Sequence, residues 1–183
     1  DQNVKGHYEN DATGMRMAIG ILGAGTGKSG DILICDDPHN VERVDSEADR
    51  ESKIHWWDNT FARRKNDPAK SAEVVVCHRV HQSDLSQHLL DKGTFVHLCL
   101  PARYDGKPYY TVLGFEDPRT QPGEPLWPVH YPEEALLDME RDLDAAGVAA
   151  QMQQNPTAQD GGQFQRGWFG LVAYAPAVAR RLR

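Results

Sequence analysis

The sequence predicts an α/β fold built around a parallel sheet, and three observations carry that expectation. Short runs at 32–35, 72–77 and 95–100 are almost wholly apolar, the character of central strands buried on both faces. The stretches between them repeat apolar residues at helical spacing. Strand, helix, strand, helix, strand in that order implies parallel pairing through crossovers.

Each element has its own local warrant. In residues 13–19, Met15, Met17 and Ile19 alternate with polar or small neighbours such as Arg16, the pattern of a half-buried strand. Residues 20–31 hold five glycines and read as a loop, a glycine-rich hairpin turn. The run 32–35 ends in Asp36-Asp37-Pro38, and a proline cannot continue a ladder. Ser46, with Asp49 three residues on, caps a helix whose stripe is Ile54, Trp57 and Phe61. Neighbouring helix positions point about 100° apart, so Trp57 is expected in the core and Trp56 nearer the surface. Asn66-Asp67-Pro68 closes that helix.

After the run 72–77, Ser83 is the expected cap of a short helix through Leu85, Leu89 and Leu90, stopped at Gly93. The run 95–100 ends at Pro101. Residues 101–131 are rich in Pro, Gly and Tyr, with a weak strand signal at 109–113. Pro132 suits the first turn of a helix with Leu136, Met139 and Leu143 as its apolar stripe, Leu137 flanking it and Gly147 ending it. Then come the glutamine-rich 151–156, a loop at 157–167, and a tail that turns basic at Arg180, Arg181 and Arg183.

Composition narrows the function classes. The chain has 183 residues, enough for one domain, and its 39% hydrophobic and 26% charged content is that of a soluble globular protein. No apolar run is long enough to span a membrane, and no signal peptide is visible. The polar opening Asp1-Gln2-Asn3, without a Met, predicts a fragment of a longer protein. Cys35, Cys77 and Cys99 are odd in number and lack CxxC spacing, which argues for a reducing compartment and against a structural zinc site. A net charge of −7 argues against a protein that only grips DNA.

Three segments carry candidate chemistry. Gly25-Thr26-Gly27-Lys28-Ser29 has the end of a phosphate-binding loop, but position 22 is Leu where the motif needs Gly. An apolar strand follows at once, leaving no room for the helix whose N-terminus would hold phosphate. Ile32-Leu33-Ile34-Cys35-Asp36-Asp37 has the Walker B pattern of four apolar residues and two acids. In that arrangement a rigid strand presents one carboxylate to magnesium and a second to the attacking water. A strand with an acidic turn has the same composition. His78-Arg79-Val80-His81-Gln82-Ser83-Asp84 follows the next strand, where a motor can sense the γ-phosphate; a solvated loop before a capped helix is the plain alternative.

Seven segments in order then add a resemblance. "GTGKSGDILICDDPHN", "WWDNTFARR", "VVVCHRVHQSDLSQHLL", "FVHLCLPA", "YPEEALLDME", "AAQMQQNPTAQDGGQF" and "GWF" together resemble the large terminase family of tailed phages and prophages, over residues 13–183. The resemblance implies part of an ASCE/RecA-like P-loop ATPase core with a parallel sheet, lacking the Walker A strand. It divides the chain into 1–101, the back of the ATPase core; 102–167, a lid-like second subdomain; and 168–183, a linker towards a nuclease domain.

By position, Asp36 resembles the Walker B aspartate that binds magnesium, and Asp37 the catalytic carboxylate, where many relatives have Glu. His78 and Arg79 lie where the family's coupling motif follows its strand, near a position where a small hydroxyl residue is frequent. Asp36, His78 and Arg79 are therefore the implied nucleotide-facing residues. ATP and Mg2+ are the implied cofactors. Double-stranded DNA, the portal protein, the small terminase subunit and the procapsid are the implied partners, with a homo-oligomeric ring in the host cytoplasm. The competing readings are a non-catalytic α/β binding protein and a fragment of another P-loop motor such as a helicase.

Overall fold

The computed structural model describes residues 6–23 and 27–157. It is mixed α/β with two small sheets. Strands β1 (His7–Glu9) and β2 (Met15–Met17) pair antiparallel, with Tyr8 opposite Arg16. β2 lies within the strand expected at 13–19, but its half-buried alternation is not seen: Met15 and Ile19 are exposed, as is Arg16, and only Met17 is partly buried. The glycine-rich segment after it does not make a hairpin into the next strand, because β2 and β3 belong to different sheets.

Strands β3 (Ile32–Asp36) and β4 (Ala72–Val76) form the expected parallel pair, in the register Ile32 with Ala72 through Asp36 with Val76. The crossover between them contains α1 (Glu47–Trp56), capped by Ser46, whose hydroxyl accepts from Asp49 N at 3.3 Å. The core gathers Leu33, Cys35, Trp56, Trp57, Phe61, Leu85 and Leu89 between the sheet and the helices. α2 (Leu85–Lys92) stops at Gly93, whose φ of 67° is the left-handed geometry glycine adopts without strain. Asp58 ties the two helical segments by pairing with His88 at 3.0 Å and with Lys92.

Several expectations are corrected. The strand at 32–35 is buried on one face only: Leu33 and Cys35 face the core, whereas Ile32 and Ile34 are 64% and 62% exposed. Val74 and Val76 of β4 share that outer face, since side chains alternate and the register aligns Ile34 with Val74. Residues 95–100 form no strand. They have no ladder partner among the described residues, and the Cys99 amide donates instead to the Tyr109 hydroxyl at 2.9 Å. Among the described residues β4 pairs with β3 only.

Trp57 is core as expected, but Trp56 is buried too. After Trp56 the helix widens into a π-helical turn, Trp57–Phe61. Wider winding brings residues five apart towards one face, and Trp56 stacks on Phe61 with ring centroids 4.8 Å apart. The cap of α2 is Asp84 rather than Ser83, its carboxylate accepting from Gln87 N at 2.9 Å.

In α3 (Glu133–Asp142), preceded by Pro132 as its cap, Leu136 is buried while Met139 is exposed, so the expected stripe narrows to one residue. Gly147 does not end this helix. It lies in the next one, α4 (Ala145–Gly147), which continues as a π-helical turn Val148–Met152 and is capped by Asp144. The 101–131 region is held by polar pairs around the buried Tyr104 ring. Arg119 binds Asp117 at 2.8 Å and the carbonyls of Pro101 and Glu124, and Arg103 binds Glu133 and Glu140. The expected loop at 157–167 lies outside the described residues apart from Thr157, as do the basic tail and the 168–183 linker. Among the described residues no helix is long and apolar enough to cross a membrane.

Candidate functional site

Parallel strands place their carboxyl ends on the same side, and that side is where open α/β sheets bind ligands. Here it carries Asp36 as the last residue of β3, Asp37 directly after it, and Cys77, His78 and Arg79 after β4. The ladder runs one residue past β3, with Asp37 N donating to Val76 O at 2.9 Å. Asp37 then turns with φ 39°, a left-handed conformation that Asp tolerates better than most residues. That turn brings its carboxylate to the next strand's exit, where His78 N donates to Asp37 Oδ1 at 3.3 Å. Both carboxylates are exposed, and Asp36 lies on the outer face with Ile34.

The acidic turn is anchored from below by a residue that sequence reasoning passed over. Pro38 is buried, and His39 Nε2 accepts from Leu85 N at 2.8 Å, at the start of α2. Burial pushes the His39 imidazole below its ordinary pKa, in keeping with a ring that must keep a lone pair for that bond. Its only sequence signal is its place directly after the Asp-Asp-Pro turn.

His78 is brought beside Asp37 through its backbone amide, whereas the Arg79 amide donates to Gln154. The His78 ring lies with Nδ1 3.2 Å from the Gln151 carbonyl, and a carbonyl can only accept, so Nδ1 carries the proton. The Arg79 guanidinium turns the other way. Its Nε donates to both oxygens of Asp84 at 3.2 and 3.0 Å, and its Nη2 to Gln87 Oε1 at 3.0 Å. A phosphate-facing role for Arg79 would require it to leave Asp84. Asp84 also accepts from Val80 N and His81 N, so one carboxylate shapes the whole 79–87 turn.

Gly27-Lys28-Ser29 stands at the other end of the sheet. Gly30 bridges Lys65 in parallel and Gly30 N donates to Arg64 O, which puts Lys28 before the amino end of β3. At about 3.3 Å per strand residue, it is on the order of 16 Å from the acid pair.

Among the described residues no three His, Cys, Asp or Glu side chains converge as a metal cage. A magnesium ion in a phosphoryl-transfer site needs less: one or two carboxylates, with waters and phosphate oxygens completing the octahedron. Two adjacent exposed carboxylates at the carboxyl end of a parallel sheet fit that requirement. A cleft of about 760 Å3, lined by His97, Cys99, Tyr109 and the 153–155 turn among others, opens nearby without including either acid.

No protein-family model matches the chain, and no curated protein matches it.

Proposed function

We propose that this chain is part of an ATP-driven motor of the ASCE P-loop class. More particularly, we read it as the back part of the ATPase domain of a phage or prophage large terminase, which packages double-stranded DNA into procapsids and cleaves concatemers. The observation that supports the reading best is the parallel β3–β4 pair with Asp36 and Asp37 at its carboxyl end and His78 one hydrogen bond away.

In this reading Asp36 would hold the magnesium of Mg-ATP. Bound there, the ion would neutralise charge that develops on the phosphates. Asp37 orients the attacking water and takes its proton. The His78-Arg79 turn responds to the state of the site through its backbone. The portal protein, the small terminase subunit and the procapsid are the partners of the whole motor, which acts as a homo-oligomeric ring in the host cytoplasm.

The test uses the full reading frame that contains this chain. Asp37→Asn should leave ATP binding near wild type and abolish most turnover. Asp36→Asn should weaken magnesium-dependent binding. Wild-type hydrolysis by both variants would remove the assignment.

A further inference from the structure

Two consecutive backbone amides after β4 point to different partners. His78 N donates to Asp37 Oδ1 at 3.3 Å, and Arg79 N donates to Gln154 Oε1 at 2.9 Å. The Gln154 partner lies 75 positions further along the chain. Its amide is used at both ends, because Gln154 Nε2 donates to the Gln151 carbonyl at 2.7 Å. That same carbonyl faces the His78 ring nitrogen.

Gln154 also holds φ 55°, a left-handed backbone that a non-glycine residue adopts only when its surroundings demand it. The demand is visible. The turn is pinned by Gln153 N to Val148 O at 3.0 Å and Asn155 N to Ala149 O at 2.8 Å. It is joined to the 101–126 region by Ala102 N to Met152 O at 2.7 Å. This left-handed residue just past the helix end fixes where the Gln154 side chain leaves the turn, and that side chain is used at both ends.

We propose that Gln154 is a positioning residue that ties residues 145–155 to the Asp37 carboxylate through the adjacent amides of His78 and Arg79. The two amides lie in successive peptide planes that share only the His78 Cα. His78 is held on both sides of it, by its amide on Asp37 and by its ring on the Gln151 carbonyl that Gln154 also binds, so a reorientation of Asp37 that tilts the first amide carries the second with it. The Gln154 amide then follows, and the 145–155 segment moves with it. The proposal rests on the role given to Asp37 above and extends it to the part of the chain that would move.

Two measurements decide it. The first reads amide hydrogen exchange by NMR in this chain, with the Cys35 amide of β3 as the reference for global unfolding. Gln154→Gly suits the left-handed backbone and removes only the side chain. It should speed exchange at both Arg79 and His78 about tenfold or more relative to Cys35. Gln154→Glu keeps the acceptor for Arg79 N and should stay near wild type at that amide. Faster exchange at Arg79 with His78 unchanged would overturn the linkage.

The second uses the full reading frame and counts base pairs packaged per ATP. Gln154→Gly should lower that ratio about threefold or more while ATP turnover stays near wild type. Turnover and packaging falling together, or neither changing, would overturn the positioning role. A full-length wild type without ATPase activity would instead refute the proposed function, and the exchange measurement would still decide the linkage.

Discussion

Asp84 receives the Nε–H of Arg79 on both carboxylate oxygens, at 3.0 and 3.2 Å, while being only 1% exposed itself. The same carboxylate caps α2 and accepts the amides of Val80 and His81. Removing it takes the carboxylate from a half-buried guanidinium, whose remaining partner is Gln87, and the acceptor from the amides of Val80 and Gln87. Asp84→Ala should therefore cost about 3–5 kcal/mol, the range for breaking one side of a buried pair. Asp84→Asn keeps a capping oxygen and should cost less. Urea denaturation of the three proteins checks the order.

A second buried pair sets an acid limit. The Arg119 guanidinium hydrogen-bonded to Asp117 holds that carboxyl below the ordinary aspartate range. A depressed folded pKa gives stability that is fully present above about pH 3.9, the unfolded value, and is lost as pH falls through the folded value. Unfolding midpoints followed from pH 6 to pH 2 should drop below about pH 4. The drop should be shallower in an Asp117→Asn, Arg119→Met double variant. Equal pH slopes in the two proteins would show that the pair does not contribute.

The outer face of the β3–β4 sheet gives a prediction about solubility. Ile32, Ile34, Val74 and Val76 form an exposed apolar face, the kind of surface that associates. Ile34→Thr with Val74→Thr keeps β-branched side chains suited to strands. The pair should raise the soluble yield and the concentration at which the chain aggregates. Its stability should change by no more than about 1 kcal/mol, since neither side chain is buried. Light scattering against concentration, with a urea curve, reads both quantities.

Much of the central sheet could be read in the sequence, because a short apolar run ended by Asp-Asp-Pro or by a polar turn leaves few alternatives to a strand. The parallel β3–β4 register and the placement of Asp36, Asp37 and His78 at one end follow from that pattern and from the intervening helix. What was not legible depends on contacts between distant residues. The burial of Trp56 comes from a π-helical turn, and ordinary 3.6-residue periodicity cannot anticipate one. The choice of Asp84 over Ser83 as cap depends on Arg79 reaching it. Gln154 and His39 act by hydrogen bonds to backbone groups 75 and 46 positions away, for which no local spacing exists. Residues 95–100 have strand composition, but a strand also needs a neighbour to pair with.

The isolated chain should show no magnesium-dependent ATP turnover above background. The motivation is geometric: Gly27-Lys28-Ser29 and the carboxylates stand at opposite ends of β3, so among the described residues this segment makes no phosphate cradle facing Asp36. A malachite-green phosphate assay on the purified chain checks this, with Asp37→Asn as the blank. Turnover that depends on Asp37 in this chain would mean that another part of it binds the triphosphate.

We propose above that Asp37 is the water-activating carboxylate of a DNA-packaging ATPase. Its most direct test is the amount of nuclease-protected DNA inside procapsids, measured together with phosphate release, for the full reading frame and its Asp37→Asn variant at equal protein and ATP. Asp37→Asn should lower both by about 100-fold or more, the scale of losing a general base, while ATP binding stays near wild type. Protected DNA and phosphate release at wild-type levels in the variant would contradict it.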